Sequence, residues 1–350
     1  MEVTPFQLAN NTVLSLSDSN FILPKDRRPI LSEVINPDSI PIINLNENNI
    51  DDGHASSLLV SNISRACEEY GFFQIVNHGV PQELCQRVLA VVTEFFQLPH
   101  EERAQFFTTD HTKQVKVYNY YQKVEGHGKV TMWSETFTHP WHPLDDFTQF
   151  LPTSIPQYRE VFGEYAREIG ALMDRLLSLI SRGLGLEKDY LKRKLGERPA
   201  LYSQANYYPP CPNPELTMGI PDHNDLGALT ILLQSEGVTG LQAIKDGKWL
   251  SVHPVPNAFV VNLADQIQVL SNGRYKSVGH RAITNDRLAR VSVAMFYSPN
   301  NDTVIGPIED FIDEEHPAMY RNYTYRDYME EFRRQEGRRR RVKEAFEIQR

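Results

Sequence analysis

The apolar positions of this chain change their period near residue 200. Before it, they recur at helical spacing. Leu59, Ile63, Cys67 and Tyr70 mark one helix, which Gly71 ends. Leu84, Val88, Val92 and Phe95 mark a second, with Pro81 suited to its first position. Val161, Tyr165, Ile169, Leu172, Leu176 and Ile180 predict a longer helix over 157–183. Ile40–Leu45 and Phe72–Val76 read as short buried strands, and Asn77-His78-Gly79 as a turn. From about Ala200 the pattern becomes short strands: Ala228–Leu233, Leu241–Ile244, Lys248–Val252, Ala258–Leu263 and Val291–Tyr297. Gly237, Gly240, Asp246-Gly247 and Asn272-Gly273 punctuate them. Turn signals every 8–12 residues or so suggest a sandwich, jelly roll or barrel. Helices first and strands later, without a βαβ rhythm, argue against a doubly wound sheet. The stretch from about Glu309 predicts a polar helical tail.

Composition narrows the class. The chain has 350 residues, 41% of them hydrophobic and 23% charged, which excludes a disordered or coiled-coil chain. Lys and Arg number 36 against 45 Asp and Glu, a net charge of −9. That balance argues against nucleic-acid binding. Arg338–Arg341, flanked by Glu336 and Glu344, reads as a solvated helix face. Three cysteines without a CxxC pattern fit a reducing compartment. Neither a secretory signal nor an apolar run of roughly 18 residues is visible. The expectation is a cytoplasmic protein with a small-molecule substrate and no nucleic-acid, membrane or evident protein partner.

Three groups of residues carry candidate chemistry. In His223-Asn224-Asp225, strand alternation would place an imidazole and a carboxylate on one face. That donor pair suits Fe(II), Mn or Zn. His280 is the leading third ligand, completing a facial triad with open positions; a bare His-x-Asp is common by chance, and His253 is the weaker alternative. In Arg290-Val291-Ser292, the Arg fork and the hydroxyl share a face and match a carboxylate. An Arg at a strand edge, paired or in water, is the plainer reading of that group taken alone. In Asn206-Tyr207-Tyr208-Pro209-Pro210-Cys211-Pro212, the prolines stiffen a segment that presents Asn206 and Tyr208 together.

Taken in order, these segments resemble the plant Fe(II)- and 2-oxoglutarate-dependent dioxygenases. Asn206–Pro212 resembles the family's NYYPxCP segment. His223-x-Asp225 with His280 resembles its iron triad, and Arg290-x-Ser292 its 2-oxoglutarate anchor. Gly71–Val80 and Ile40–Leu45 resemble its N-terminal signatures, with Asn44, Asn224 and Ala264 as small departures. Finer likeness in Leu184–Leu191 and Leu270–Val278 is to the salicylate hydroxylase and flavone synthase-like group. Gln157–Val161 and His142–Asp145 resemble the hyoscyamine hydroxylase group.

The resemblance implies a mainly β fold with flanking helices around a double-stranded β-helix, or jelly-roll, core. It implies one compact domain: an irregular arm over 1–38, an N-terminal dioxygenase region over 39–197, the catalytic core over 198–300 and a helical segment over 301–350. It implies Fe(II) on His223, Asp225 and His280, with 2-oxoglutarate on Arg290, Ser292, Tyr208 and Asn206. Dioxygen and supporting ascorbate complete the cofactors. The expected reaction hydroxylates or desaturates a small aromatic or polycyclic plant metabolite (a flavonoid, phenolic or alkaloid), releasing succinate and CO2. Phe296, Trp133, Phe137 and Tyr118 are the pocket candidates. The alternatives are a same-fold oxidase that does not consume 2-oxoglutarate and a catalytically silent metabolite-binding protein.

Overall fold

The computed structural model describes residues 19–35, 40–46, 50–51, 54–55, 57–108, 110, 113–142, 151–196, 198–335 and 341–349. Eight strands form the major sheet: β1 Ile42–Asn44, β4 Phe72–Val76, β5 Lys116–Tyr118, β8 Glu135–His142, β9 Ala200–Tyr208, β11 Leu229–Gln234, β14 Phe259–Leu263 and β16 Arg290–Ser298. Their spatial order is β1-β4-β14-β11-β16-β9-β8-β5. A minor sheet follows the order β10-β15-β12-β13, from Ile220–His223, His280–Ala282, Leu241–Lys245 and Lys248–Ser251. Three short pairs lie outside them: β2 Ile50–Asp51 with β3 His54–Ala55, β6 Tyr121–Val124 with β7 Gly128–Thr131, and β17 Val304–Ile305 with β18 Tyr323–Thr324. Within the two large sheets only β1–β4 is parallel. Two facing antiparallel sheets with helices outside one of them make the jelly-roll core that the sequence predicts.

The helices are α1 Ser57–Glu69, α2 Gln82–Gln97, α3 His100–Ala104, α4 Tyr158–Gly183, α5 Tyr190–Leu195, α6 Asp265–Leu270 and α7 Tyr325–Arg334. The predicted apolar stripes of α1, α2 and α4 are the faces they bury. These meet Phe73, Ile75, Leu229, Ile231, Leu233, Phe259, Val261, Val293 and Met295 from the outer face of the major sheet. Strands covered on both faces read as continuous apolar runs. Gly71 ends α1 for two reasons: its φ is +62°, and a Cβ there would run into the Lys276 carbonyl.

Several details depart from expectation. β1 is half exposed; Ile43 is buried but Ile42 is 55% exposed, because β1 is the sheet's edge. Pro81 caps α2 with an extended backbone and lies just outside it. The described part of the N-terminal arm is pinned down: Phe21 and Leu23 are buried, and Ile35 bridges to Leu250. Residues 1–18 and 36–39 lie outside the described residues. The tail is not one helix. Only a 3-10 turn, Glu309–Phe311, precedes β18, and α7 begins at Tyr325 behind a Thr324–Asp327 capping box. Arg341 pairs with Glu344 at 3.8 Å, while 336–340 lie outside the described residues.

One buried ion pair ties α3 to β8. Arg103 bonds Glu135, and both side chains are 0% exposed. Removing the cation alone leaves a buried carboxylate uncompensated. Arg103→Met is therefore expected to lower the unfolding free energy by about 3–5 kcal/mol, measured by denaturant titration. A loss within experimental error would show that the pair is not structural.

Candidate functional site

Residues directly opposite in an antiparallel ladder share a face. The register therefore sorts each strand of the major sheet into an outer row, against the helices, and an inner row, toward the minor sheet. The inner rows carry the polar side chains. Thr230 stands opposite Phe296 and Asn262, Gln234 opposite Ser292, Arg290 opposite Tyr208, and Ser292 opposite Asn206.

His223 is the last residue of β10 and pairs with His280 of β15. Asp225 lies beyond the strand, so the turn after β10, rather than strand alternation, brings it back. The result is still convergent. Asp225 Oδ1 is 3.6 Å from Nε2 of His223 and 3.6 Å from Nε2 of His280. One donor atom from each of the three lies within 4.8 Å of the others. The Nδ1 atom of His223 meets the Pro221 carbonyl at 2.8 Å, and that of His280 meets the Val278 carbonyl at 3.3 Å. A carbonyl accepts only from a protonated nitrogen, so both Nε2 lone pairs are left for an ion. The other carboxylate oxygen, Oδ2, accepts from Thr230 Oγ1 and Asn262 Nδ2, each at 2.6 Å. Burial works to raise the Asp225 pKa, but the positive charge of His280 and His223, where these are protonated, and these two donors outweigh it and hold the carboxyl below its ordinary range. Asn224 points away and donates to the Ser277 carbonyl at 2.9 Å. His253 bonds Thr239 instead, at 2.9 Å, on the exposed side.

Arg290 and Ser292 are each 2% exposed. Arg290 Nη2 donates to Gln234 Oε1 at 2.9 Å, while Nε and Nη1 are buried without partners. Its guanidinium lies 4.9 Å from the centre of the Tyr208 ring. Burial raises the Tyr208 pKa, partly offset by Arg290 and Ser292, so the phenol remains a donor. A buried guanidinium with two unpartnered nitrogens, a phenol and a hydroxyl fits one carboxylate. The donor set thus fits both an octahedral divalent iron and an anionic cosubstrate. Asn206 faces the same interior, but its Oδ1 accepts from Thr136 at 2.9 Å, which commits it to the neighbouring wall.

The pocket candidates separate. Phe296 lies on the inner row. Tyr118 does too, since it pairs with Thr136, which pairs with Asn206. Phe137 does not. It is 0% exposed on the outer row, stacked 4.2 Å from Phe95, so the expectation of a pocket wall there is corrected. Trp133 packs edge-on to Phe21 at 5.2 Å and donates to the Pro209 carbonyl, which makes it a seal under the N-terminal arm. The interior also contains residues that sequence reasoning missed. Gln204 accepts from the Tyr118 hydroxyl at 3.1 Å and donates to that of Tyr120 at 2.6 Å. Thr230 and Asn262 share one signal: a polar residue inside an otherwise apolar strand.

The fold and site together define a non-haem iron oxygenase that uses 2-oxoglutarate. The model of the 2OG-Fe(II) oxygenase superfamily matches residues 201–299. That of the non-haem dioxygenase in morphine synthesis N-terminal region matches 40–157. Protein DMR6-LIKE OXYGENASE 2 of Arabidopsis thaliana is 42% identical over 317 residues, 90% of this chain and 89% of that one. Flavanone 3-dioxygenase 2 of Oryza sativa subsp. japonica is 39% identical over 326 residues, 93% of each chain. The crystal structure of JOX2 in complex with 2OG, Fe, and JA has a TM-score of 0.86 at 35% identity, covering 100% of this chain and 99% of that one. The chain belongs to the 2OG-Fe(II) oxygenase superfamily and is a dioxygenase dependent on Fe(II) and 2-oxoglutarate.

Thr230 reaches the triad only through Asp225. Thr230→Val is expected to weaken divalent-metal affinity by roughly 10–100-fold, read by anaerobic Fe(II) titration. Wild-type affinity in that variant would remove Thr230 from the site's support.

Proposed function

We propose that the enzyme hydroxylates or desaturates a small aromatic or polycyclic metabolite of the flavonoid, phenolic or alkaloid kind. The observation that carries this reading is the inner wall beside the triad and Arg290. There Tyr118, Tyr120 and Phe296 offer ring faces, and Gln204 holds two phenol hydroxyls in place. Rigid rings with a few fixed polar groups suit a flat, lightly polar substrate. The rice relative's name, flavanone 3-dioxygenase, points to the same chemical class.

His223, Asp225 and His280 hold Fe(II) in this reading. Arg290, Ser292 and Tyr208 bind the far carboxylate of 2-oxoglutarate, and Gln234 fixes the guanidinium. Bound iron supplies the oxidising chemistry, in which dioxygen converts 2-oxoglutarate to succinate and CO2 while a substrate C–H bond is attacked. The chain's own work is orientation and exclusion of water. Arg290 sets where the keto acid enters, and the aromatic wall sets which carbon faces the metal. Asn206 supports that wall through Thr136. An oxidase that takes no 2-oxoglutarate would leave the two unpartnered nitrogens of Arg290 without a purpose. A cytoplasmic location is part of the same proposal, resting on the sparse cysteines, all three unpaired and buried. Among the described residues no helix is long and apolar enough to cross a membrane.

Succinate release should require Fe(II) and 2-oxoglutarate, rise when an accepted flavonoid, phenolic or alkaloid is added, and vanish in Asp225→Ala. The product should gain one oxygen or lose two hydrogens by mass. Stimulation only by aliphatic acids would sink the aromatic reading. The anaerobic charge-transfer band of iron with 2-oxoglutarate should weaken in Arg290→Ala.

Gln204→Leu separates the wall from the cosubstrate site. Its KM for the aromatic substrate should rise by about tenfold, the worth of one or two good hydrogen bonds, with KM for 2-oxoglutarate unchanged. An equal rise in both would place Gln204 in general support instead.

A further inference from the structure

A second cavity lies outside the barrel interior. It is an open-sided slot of about 630 Å³ between α4, α5 and the outer face of the major sheet. Trp141, Gly170, Met173, Leu201 and Tyr297 form its walls, and Arg167, Asp174 and Lys192 stand on its rim. A volume of this size accommodates a small ring compound.

Three features of the slot point to a ligand. Tyr297 is only 3% exposed, and its buried hydroxyl has no hydrogen-bond partner. Burial, with Asp174 adding to it, raises its pKa to about 12, so it remains a donor. Such groups are normally satisfied. Gly170 leaves room beside the edge of the Trp141 ring, which is itself 3% exposed: a Cβ there would lie 3.5 Å from the indole, an ordinary contact distance. The rim charges are unequal. Lys192 is paired with Asp174 at 2.5 Å and Arg193 with Glu187 at 2.8 Å. Arg167 is exposed and forms no ion pair among the described residues.

We propose that this slot is a second small-molecule site, taking a flat aromatic carboxylate. Its ring lies over Gly170 at the edge of Trp141, a ring oxygen accepts from Tyr297, and its carboxylate faces Arg167. The site is distinct from the catalytic interior because β16 stands between them. On that strand Tyr297 faces the helices, while its neighbour Phe296 faces inward. Nothing in the assignment depends on which substrate the catalytic site takes.

The probe is 6-hydroxy-2-naphthoate, titrated into the Fe(II)-loaded full chain under anaerobic conditions, with and without saturating 2-oxoglutarate. Binding is read as quenching of tryptophan fluorescence; the chain has three tryptophans, and Trp141→Phe should remove most of the response. One saturable site is expected. Arg167→Gln and Tyr297→Phe should each weaken it by about tenfold, as loss of one charged or buried hydrogen bond implies. Gly170→Leu fills the slot and should abolish binding, with circular dichroism reporting its fold. Gln204→Leu, in the catalytic wall, should leave affinity unchanged. The proposal is overturned if quenching does not saturate, if 2-oxoglutarate displaces the probe, or if Gln204→Leu weakens it as much as Arg167→Gln. Wild-type affinity in both Arg167→Gln and Tyr297→Phe overturns it as well. Because no arm reads succinate, failure here leaves the substrate assay untouched.

Discussion

Asp225 is a carboxylate that must stay ionised while buried, and the site is arranged around that requirement. Burying an isolated charge is prohibitive, so the group would otherwise take up a proton. Two neutral donors work against this beside the charge of the histidines, Thr230 from β11 and Asn262 from β14, both on one oxygen. They can do so only if β11 and β14 keep their register, in which Thr230 stands directly opposite Asn262. A slip of one residue would turn both donors toward the helices. The second oxygen is then free to face the two imidazoles from the minor sheet. Each histidine is fixed by a bond from its far nitrogen to a carbonyl two residues earlier, so the local chain selects the tautomer. The site thus depends on two sheets meeting face to face, and the helical layer matters because it presses on the outer face of one of them.

The same logic separates polar from apolar rows across the major sheet. On β16, Val291, Val293 and Met295 enter the core against the helices. Arg290, Ser292 and Phe296 alternate inward. An arginine so placed is costly unless its donors are met, and Gln234 meets only one nitrogen. The net charge of −9 does not oppose anion binding there. Over the few ångströms of a buried contact, a single guanidinium outweighs distant surface charges that water and salt screen.

Much of this is legible in the sequence. The stripes of α1, α2 and α4 appear at 3.6-residue spacing because each packs one face. The strands after residue 200 appear because glycines and Asx-Gly pairs punctuate them. His223, Asp225, His280, Arg290 and Ser292 are legible as two short patterns and one spacing. What stayed hidden depends on contacts between distant segments. The β5–β8 stretch carries mixed polar and aromatic residues, and its membership in the major sheet is fixed by pairing with β9, far along the chain. Phe137 and Tyr118 look equivalent in sequence, both aromatic and both in that stretch. Only register places one against Phe95 and the other inside. Thr230 and Asn262 have no local motif, since their meaning arises across a ladder.

A second aspartate in the same region shows what a metal contributes. Asp265 is also buried, and its backbone N–H donates to the Asp225 carbonyl at 3.0 Å. Its carboxylate is met by Tyr328 at 2.5 Å and by the Lys343 ammonium at 2.8 Å, both from the C-terminal segment. There the protein supplies its own counter-charge, and the tail is held down as a consequence. Asp225 receives a hydroxyl, an amide and two imidazoles whose Nε2 atoms carry lone pairs. The hydroxyl and the amide favour the ionised carboxylate without neutralising it. Two aspartates forty residues apart, joined by one backbone hydrogen bond, are thus finished differently. One is closed by lysine and structural, and the other is left negative, open and lined with lone pairs, which is the electrostatic condition for holding a divalent cation.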